Sequence, residues 1–141
     1  MQIEEADFEI ETGDVFDIQN VTPHVEAAID GSGTENALVF ISTPHTSAAL
    51  STNEYEEKLR YDMMDFFSEL APPDAGYAHD IDHYERDEQP NAHAHILSAM
   101  LKRPVLVMLR EGELSLGTWQ EIMFYEFCGP RTRTVEVAVL G

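Results

Sequence analysis

Five of the six histidines in the chain, His45, His79, His83, His93 and His95, fall between positions 45 and 95. An imidazole titrates near neutral pH and binds divalent metals through a neutral nitrogen, so this concentration suggests a general acid or base or a metal site. His45 opens the run His45-Thr46-Ser47-Ala48-Ala49-Leu50, directly after an apolar stretch of strand type. A side chain there is held by a sheet yet can face a cleft. Thr46 and Ser47 could orient the ring or donate to an anion, and a turn carbonyl could equally satisfy it. His79 and His83 have the i, i+4 spacing that places two rings on one side of a helix, as zinc sites often use. Gly76 upstream and the interposed Asp80 and Asp82 read as loop instead. His93 and His95 cannot share a helix face, because two residues turn about 200° at 3.6 residues per turn. Ile96 and Met100 mark the expected buried side, which makes His95 the better ligand and tilts His93 toward solvent. His24 is read as a surface residue.

Arg131 and Arg133 straddle Thr132 after Gly129-Pro130. On a strand i and i+2 share a face, so in a chain with few bases the pair could clamp an anion, or else pair with nearby acids. Trp119, the sole tryptophan, follows Gly117, whose place in a strand pattern suggests a bulge or close backbone approach. No nucleophile elbow, phosphate-cradling glycine loop with Lys or dinucleotide fingerprint is present. Ser47 lies two residues from His45, but adjacency along a strand does not make a triad.

The elements that must position these residues follow from periodicity. Ala6, Phe8 and Ile10 alternate with acids, which predicts a strand with one buried face. A short strand over 15–18 is expected next. Thr22 as a cap and Pro23 at the first helical position predict a helix with Val25, Ala28 and Ile29 buried, ended by Asp30-Gly31-Ser32-Gly33. The run 37–41 reads as a buried strand. Tyr55, Leu59, Met63, Phe66, Phe67 and Leu70 recur at helical intervals up to Pro72-Pro73. Residues 74–90 read as a long loop, 91–101 as a helix capped by Asn91, 104–109 as a strand, 114–127 as one long or bent strand, and 134–139 as a closing strand. A single α+β domain over 1–141, of order ββαββαβββ or close to it, is the economical description.

Composition narrows the chemistry. Eight basic against 27 acidic residues give a net charge of −19, with 43% hydrophobic residues, seven Phe, five Tyr and one Trp. The apolar content predicts a folded core, and the charge disfavours nucleic acid and anionic membrane as partners. The acids are scattered along the chain, a coat that suits a cytosol held at high salt, where screening acts over about 3 Å at roughly 1 M ionic strength. A halophile source is therefore expected. The single Cys128 precludes an intrachain disulfide and cysteine-rich zinc motifs. The opening residues MQIEEADFEIE hold neither a basic nor an apolar leader pattern, and no run approaches 18 apolar residues, so a cytoplasmic location is expected.

Taken together, His45-Thr46-Ser47-Ala48-Ala49-Leu50, Asn53-Glu54, Tyr77-x-His79-Asp80, Ala94-His95-Ile96, Gly112-x-Leu114-x-Leu116-Gly117-Thr118-Trp119-Gln120 and Gly129-Pro130-Arg131 resemble the YjbQ-like family, in order and over nearly the whole chain. The resemblance implies a two-sheet β-sandwich with helices, assembled as a homotrimer with pockets at or near subunit interfaces. It also implies a secondary thiamine-phosphate synthase activity, which joins hydroxymethylpyrimidine diphosphate to thiazole phosphate and releases diphosphate. The family's recurrent histidines fall on His45, His79 and His95, lining a cleft able to hold a metal or an anion, whereas His83 and His93 lie where the family varies. Lys102-Arg103-Pro104 departs from the usual Gly-Ser type turn, and Leu97-Ser98 stands where members often carry a Lys.

Two readings follow. In the first, His45, His79 and His95 hold a divalent ion, Zn or Mg, backed by Asp80 or Glu126, while Thr46, Ser47, Trp119, Arg131 and Arg133 bind a small phosphorylated molecule. In the second, the same residues form a metal- or anion-binding homotrimer without turnover. A module docking protein partners through Trp119 and the acidic surface ranks behind both.

Overall fold

The computed structural model describes all 141 residues, Met1–Gly141. Alternation of apolar and acidic residues produces β1 (Ile3–Glu11), with Ile10 buried and Phe8 packed against the core. It is followed by β2 (Asp17–Asn20), α1 (Thr22–Ile29), β3 (Ala37–Ser42), β4 (Ala48–Asn53) and α2 (Glu57–Leu70). A 3-10 turn (Ala78–Asp80) then runs into α3 (Ile81–Glu85), and α4 (Ala92–Leu101), β5 (Val105–Arg110), β6 (Glu113–Leu114), β7 (Glu121–Glu126) and β8 (Thr132–Leu140) complete the chain. The fold is a single-domain α+β sandwich whose first six elements follow the expected order.

Several local expectations are corrected. The long loop at 74–90 contains the 3-10 turn and α3, stitched by Tyr84, whose hydroxyl donates to Asp74 at 2.6 Å. The long strand at 114–127 is two strands, because Gly117 N–H turns to the side chain of Gln120 at 3.0 Å and breaks the ladder. Thr22 lies inside α1 and does not cap it. Its hydroxyl accepts the Ile122 amide at 2.8 Å, while Asn20 Oδ1 accepts the Thr22 amide. The cap of α2 is Glu56, which accepts from the Lys58 and Leu59 amides. Only Met63, Met64 and Phe67 of α2 pack inward, and Phe66 and Leu70 face outward.

All strand pairs are antiparallel, in a five-stranded sheet of order β1-β8-β3-β5-β6 and a three-stranded sheet of order β2-β7-β4. Val39 lies opposite both Val107 and Val139, which fixes the register of β3 between β5 and β8. Valines and isoleucines on the inner face of the large sheet meet Leu50, Ile122 and Phe124 of the small one. The other face of the small sheet carries Ala49, Met123 and Tyr125 and packs under α2 and α4. β7 is thus buried on both faces, which is why its sequence is a continuous apolar run and not an alternating one. The layers are large sheet, small sheet and helices, and the segments carrying the histidines and arginines close one end.

Candidate functional site

The segment joining β3 to β4 carries His45, Thr46 and Ser47, and the segment joining β7 to β8 carries Gly129, Pro130 and Arg131. Between them opens a cleft of about 550 Å³ lined by Glu11, His45, Pro130, Arg131, Thr132 and Arg133. The Thr134 amide donates to His45 Nε2 at 2.9 Å, so that nitrogen holds the lone pair and the ring's proton sits on Nδ1. Burial, reinforced by the nearby Arg133, lowers the His45 pKa from its ordinary value, and Glu126 opposes the shift. Arg131 is steered by its Nε donating to the Cys128 carbonyl at 2.8 Å. Lys102 donates to the His45 carbonyl at 2.8 Å. Neither Arg131 nor Lys102 has a carboxylate partner.

Arg133 corrects the expected two-arginine clamp. β8 turns it inward beside Val135, and at 3% exposure it is committed to the buried Glu126. Its Nε donates to Glu126 Oε1 and Oε2 at 2.9 and 3.1 Å, and its Nη2 donates to Ser47 Oγ at 2.9 Å. Glu126 also accepts from Thr12 Oγ1 at 2.7 Å and from the Phe127 and Cys128 amides. A buried pair this fully hydrogen-bonded is a structural anchor, and breaking one half leaves a charge without compensation. Arg133 and Ser47 thereby hold the cleft wall, while Arg131 supplies a charge without a carboxylate partner. Gly129 is required here because a Cβ would collide with the Asp14 carbonyl and approach Glu126 Cγ and Thr12 Oγ1 at 2.9 Å.

The remaining histidines form a second group. His79 packs against His83 and His95, with ring centroids 5.1 and 5.3 Å apart. His83 Nδ1 lies 3.0 Å from the His79 carbonyl and His95 Nδ1 lies 3.1 Å from the Thr46 carbonyl. Each nitrogen must donate to its carbonyl, which leaves each Nε2 with a free lone pair, the orientation typical of metal-ligating histidines. His45 does not fit a metal in the same way, since the Thr134 amide occupies its lone pair. The expected set His45, His79 and His95 is therefore not brought together, and no three acidic, thiol or imidazole side chains form a ready cluster for one ion. The 3-10 turn that carries His79 runs directly into α3, which carries His83, and this gives the two rings the common side that the sequence pattern only hinted at.

The orientation of α4 is the reverse of that expected. Ala94, Leu97 and Ser98 are buried, Ile96 and Met100 are exposed, and His93 is fully buried with Nε2 at 2.6 Å from the Phe127 carbonyl. Burial lowers the His93 pKa. Asp80, also fully buried, accepts the Asn91 and Ala92 amides at 3.0 Å and so caps α4 from eleven and twelve residues away. This fixes the helix that carries His95. Trp119 is 72% exposed and away from these contacts, and Thr46 contributes its carbonyl to His95. Sequence reasoning missed Lys102 and Thr12 as supports of the cleft, the one bonded to the His45 carbonyl and the other to Glu126. Only the folded proximity of Lys102 to His45 marks it, and no spacing rule does.

The matched region of the UPF0047 protein YjbQ-like family runs over residues 6–141. The chain belongs to this family. A UPF0047 protein of Archaeoglobus fulgidus is 39% identical over 132 residues, which span 93% of this chain and 97% of the relative. The crystal structure of a hypothetical protein from Aeropyrum pernix K1 superposes with a TM-score of 0.88 at 36% identity and covers 98% of both chains. That of a YbjQ-like protein of unknown function from Sulfolobus solfataricus P2 gives 0.87 at 32% identity, covering 99% of this chain and 98% of that one. The fold of the YjbQ-like family thus extends over the cleft and the histidine group alike. No helix is long and apolar enough to cross a membrane.

Proposed function

We propose that the cleft at His45 binds the phosphate or diphosphate of a small phosphorylated molecule, and that the protein acts as a cytoplasmic transferase of the thiamine-phosphate synthase type. The observation that carries this reading is electrostatic. In a chain of net charge −19, Arg131, Arg133 and Lys102 all act on His45, and two of these cations lack a carboxylate partner. Such a local reversal of field is what an anionic substrate needs in order to dock on an acidic protein. In the proposed step the thiazole nitrogen lone pair forms a C–N bond to the methylene carbon of hydroxymethylpyrimidine diphosphate. The C–O bond breaks, and diphosphate leaves with its electron pair. Arg131 and Lys102 would take up the growing negative charge, and His45 Nδ1–H would donate to the departing oxygen.

The family resemblance also implies a divalent metal on His45, His79 and His95; in the fold His79 lies beside His83 and His95, but these imidazoles form no ready cluster for one ion, so the residues present do not make a fitted metal site. Metal analysis of untagged protein, compared with a variant lacking these imidazoles, tests that conclusion. A homotrimer is supported by the outer face of the large sheet, where Leu106 and Met108 stand exposed opposite Phe40 and Leu38, a patch suited to burial by another copy. Light scattering of the purified protein reads it directly.

The deciding experiment incubates the protein with both phosphorylated precursors and follows thiamine phosphate by chromatography. Arg131→Gln should lower kcat/KM by roughly 100-fold, on the scale of losing one charge-stabilising donor. If diphosphate raises the Tm but no product forms, the anion-binding homotrimer without turnover is the better description. If neither occurs, the cleft is not a phosphate site.

A further inference from the structure

A separate cavity of about 190 Å³ lies on the helix-covered face of the small sheet, between α2 and the end of α4. Its walls are Ala49, Met63, Phe67, Leu101 and the ring of Tyr125, with Ser51, Asn53 and Arg103 as its polar groups. The volume suits one ring, since an apolar cavity of about 150 Å³ takes up benzene. Phe67 and Tyr125 meet in a T-shaped contact, their ring centroids 5.9 Å apart and their planes at 77°.

The polar groups say what the ring should carry. Ser51 and Tyr125 share one hydrogen bond of 2.8 Å, and neither hydroxyl has another partner. Two hydroxyls joined by one bond use one proton, so whichever donates, the other proton has no acceptor. Tyr125 is only 6% exposed, and both Ser51 and Tyr125 line the cavity. Burial raises the Tyr125 pKa and keeps the phenol a donor, while the nearby Arg103 opposes that shift and has no carboxylate partner of its own.

We propose that this cavity binds a single-ring aromatic carboxylate, its ring against Phe67, Met63 and Leu101, its carboxylate accepting the surplus hydroxyl proton and facing Arg103. The site is distinct from the His45 cleft. Ser47 and Ser51 are four residues apart on one strand path, or about 13 Å at 3.3 Å per residue. The proposal does not depend on the transferase reading.

The test uses benzoate as probe and fluorobenzene as a ring without a carboxylate, following methyl-labelled methionines by NMR at one fixed KCl concentration. Benzoate should give saturable shifts centred on Met63. Arg103→Gln should weaken benzoate by roughly tenfold, about 1.4 kcal/mol, and leave fluorobenzene unchanged. Met63→Trp, which fills the cavity, should abolish both. If Met63→Trp does not fold, the double variant Ser51→Ala/Tyr125→Phe takes its place and should lose benzoate while retaining fluorobenzene. The proposal is overturned if benzoate gives no saturable shift, if Arg103→Gln leaves its affinity unchanged, or if diphosphate displaces it competitively.

Discussion

His45 and His93 are held neutral for the same first reason, burial, and both have their ordinary pKa lowered. Between the folded and unfolded values the unfolded chain binds more protons, so stability is present above the unfolded pKa of about 6.5 and is lost as pH falls through the folded values. The guanidinium midpoint should therefore decline from about pH 6.5 downward, before most carboxylates titrate. His93→Gln should cost about 1–3 kcal/mol at neutral pH, from the disturbed bond to the Phe127 carbonyl. It should also flatten the decline near pH 6. An unchanged pH profile in that variant would remove His93 from the account. That Arg131 and Arg133 were chemically interesting could be read from their rarity, but the choice of Arg133 as an internal anchor depends on Glu126, which only the fold brings to it.

At the scale of elements, α4 is held by a carboxylate outside its own sequence neighbourhood. Asp80→Ala should destabilise the protein by about 1–2 kcal/mol, as a lost helix cap does, read as a lower Tm. Because α4 carries His95, the same change should weaken any metal or anion response of the histidine group, while diphosphate stabilisation at Arg131 persists. β1 and β3 were legible because strict alternation and a compact β-branched run admit one reading. α4 was legible as a helix but not in rotation. Its sequence, Ala92–Leu101, is apolar or small nearly all round, so periodicity cannot select a face, and the Phe127 carbonyl decides which histidine goes inside. The segment at 74–90 reads as loop in the sequence because α3 is a single short turn of helix without an apolar stripe, held by Tyr84 and Asp74. That hydroxyl bond pushes the Tyr84 pKa up to about 12.

For the whole molecule the acidic coat has a specific address. Glu5, Asp7, Glu9 and Glu11 line the exposed face of β1, and Asp7 lies directly opposite Glu136 of β8. Like charges facing across strands are destabilising, and screening tightens from about 10 Å at 0.1 M to about 3 Å at 1 M. The Tm should rise by several degrees as KCl is raised through this range. Asp7→Lys should stabilise the protein by about 0.5 kcal/mol in dilute buffer and by less in strong KCl. Calorimetry across a KCl series checks both, and a salt-independent Tm would contradict the halophilic reading of the charge.

β8 lies between β1 and β3, so the large sheet is built around the strand made last. Its partners Ile3–Glu11 are made first, and the register joins Ile3 to Leu140 and Glu11 to Thr132. On a ribosome that emits the chain from one end, β1 and β3 must wait with unsatisfied edges until residues 132–140 emerge. Pairings so distant in sequence form slowly and leave strand edges open to intermolecular pairing in the meantime. The glutamates and the aspartate of β1 then have a role before the native state exists: they keep nascent chains apart while the strand that will pair with β1 is still being synthesised.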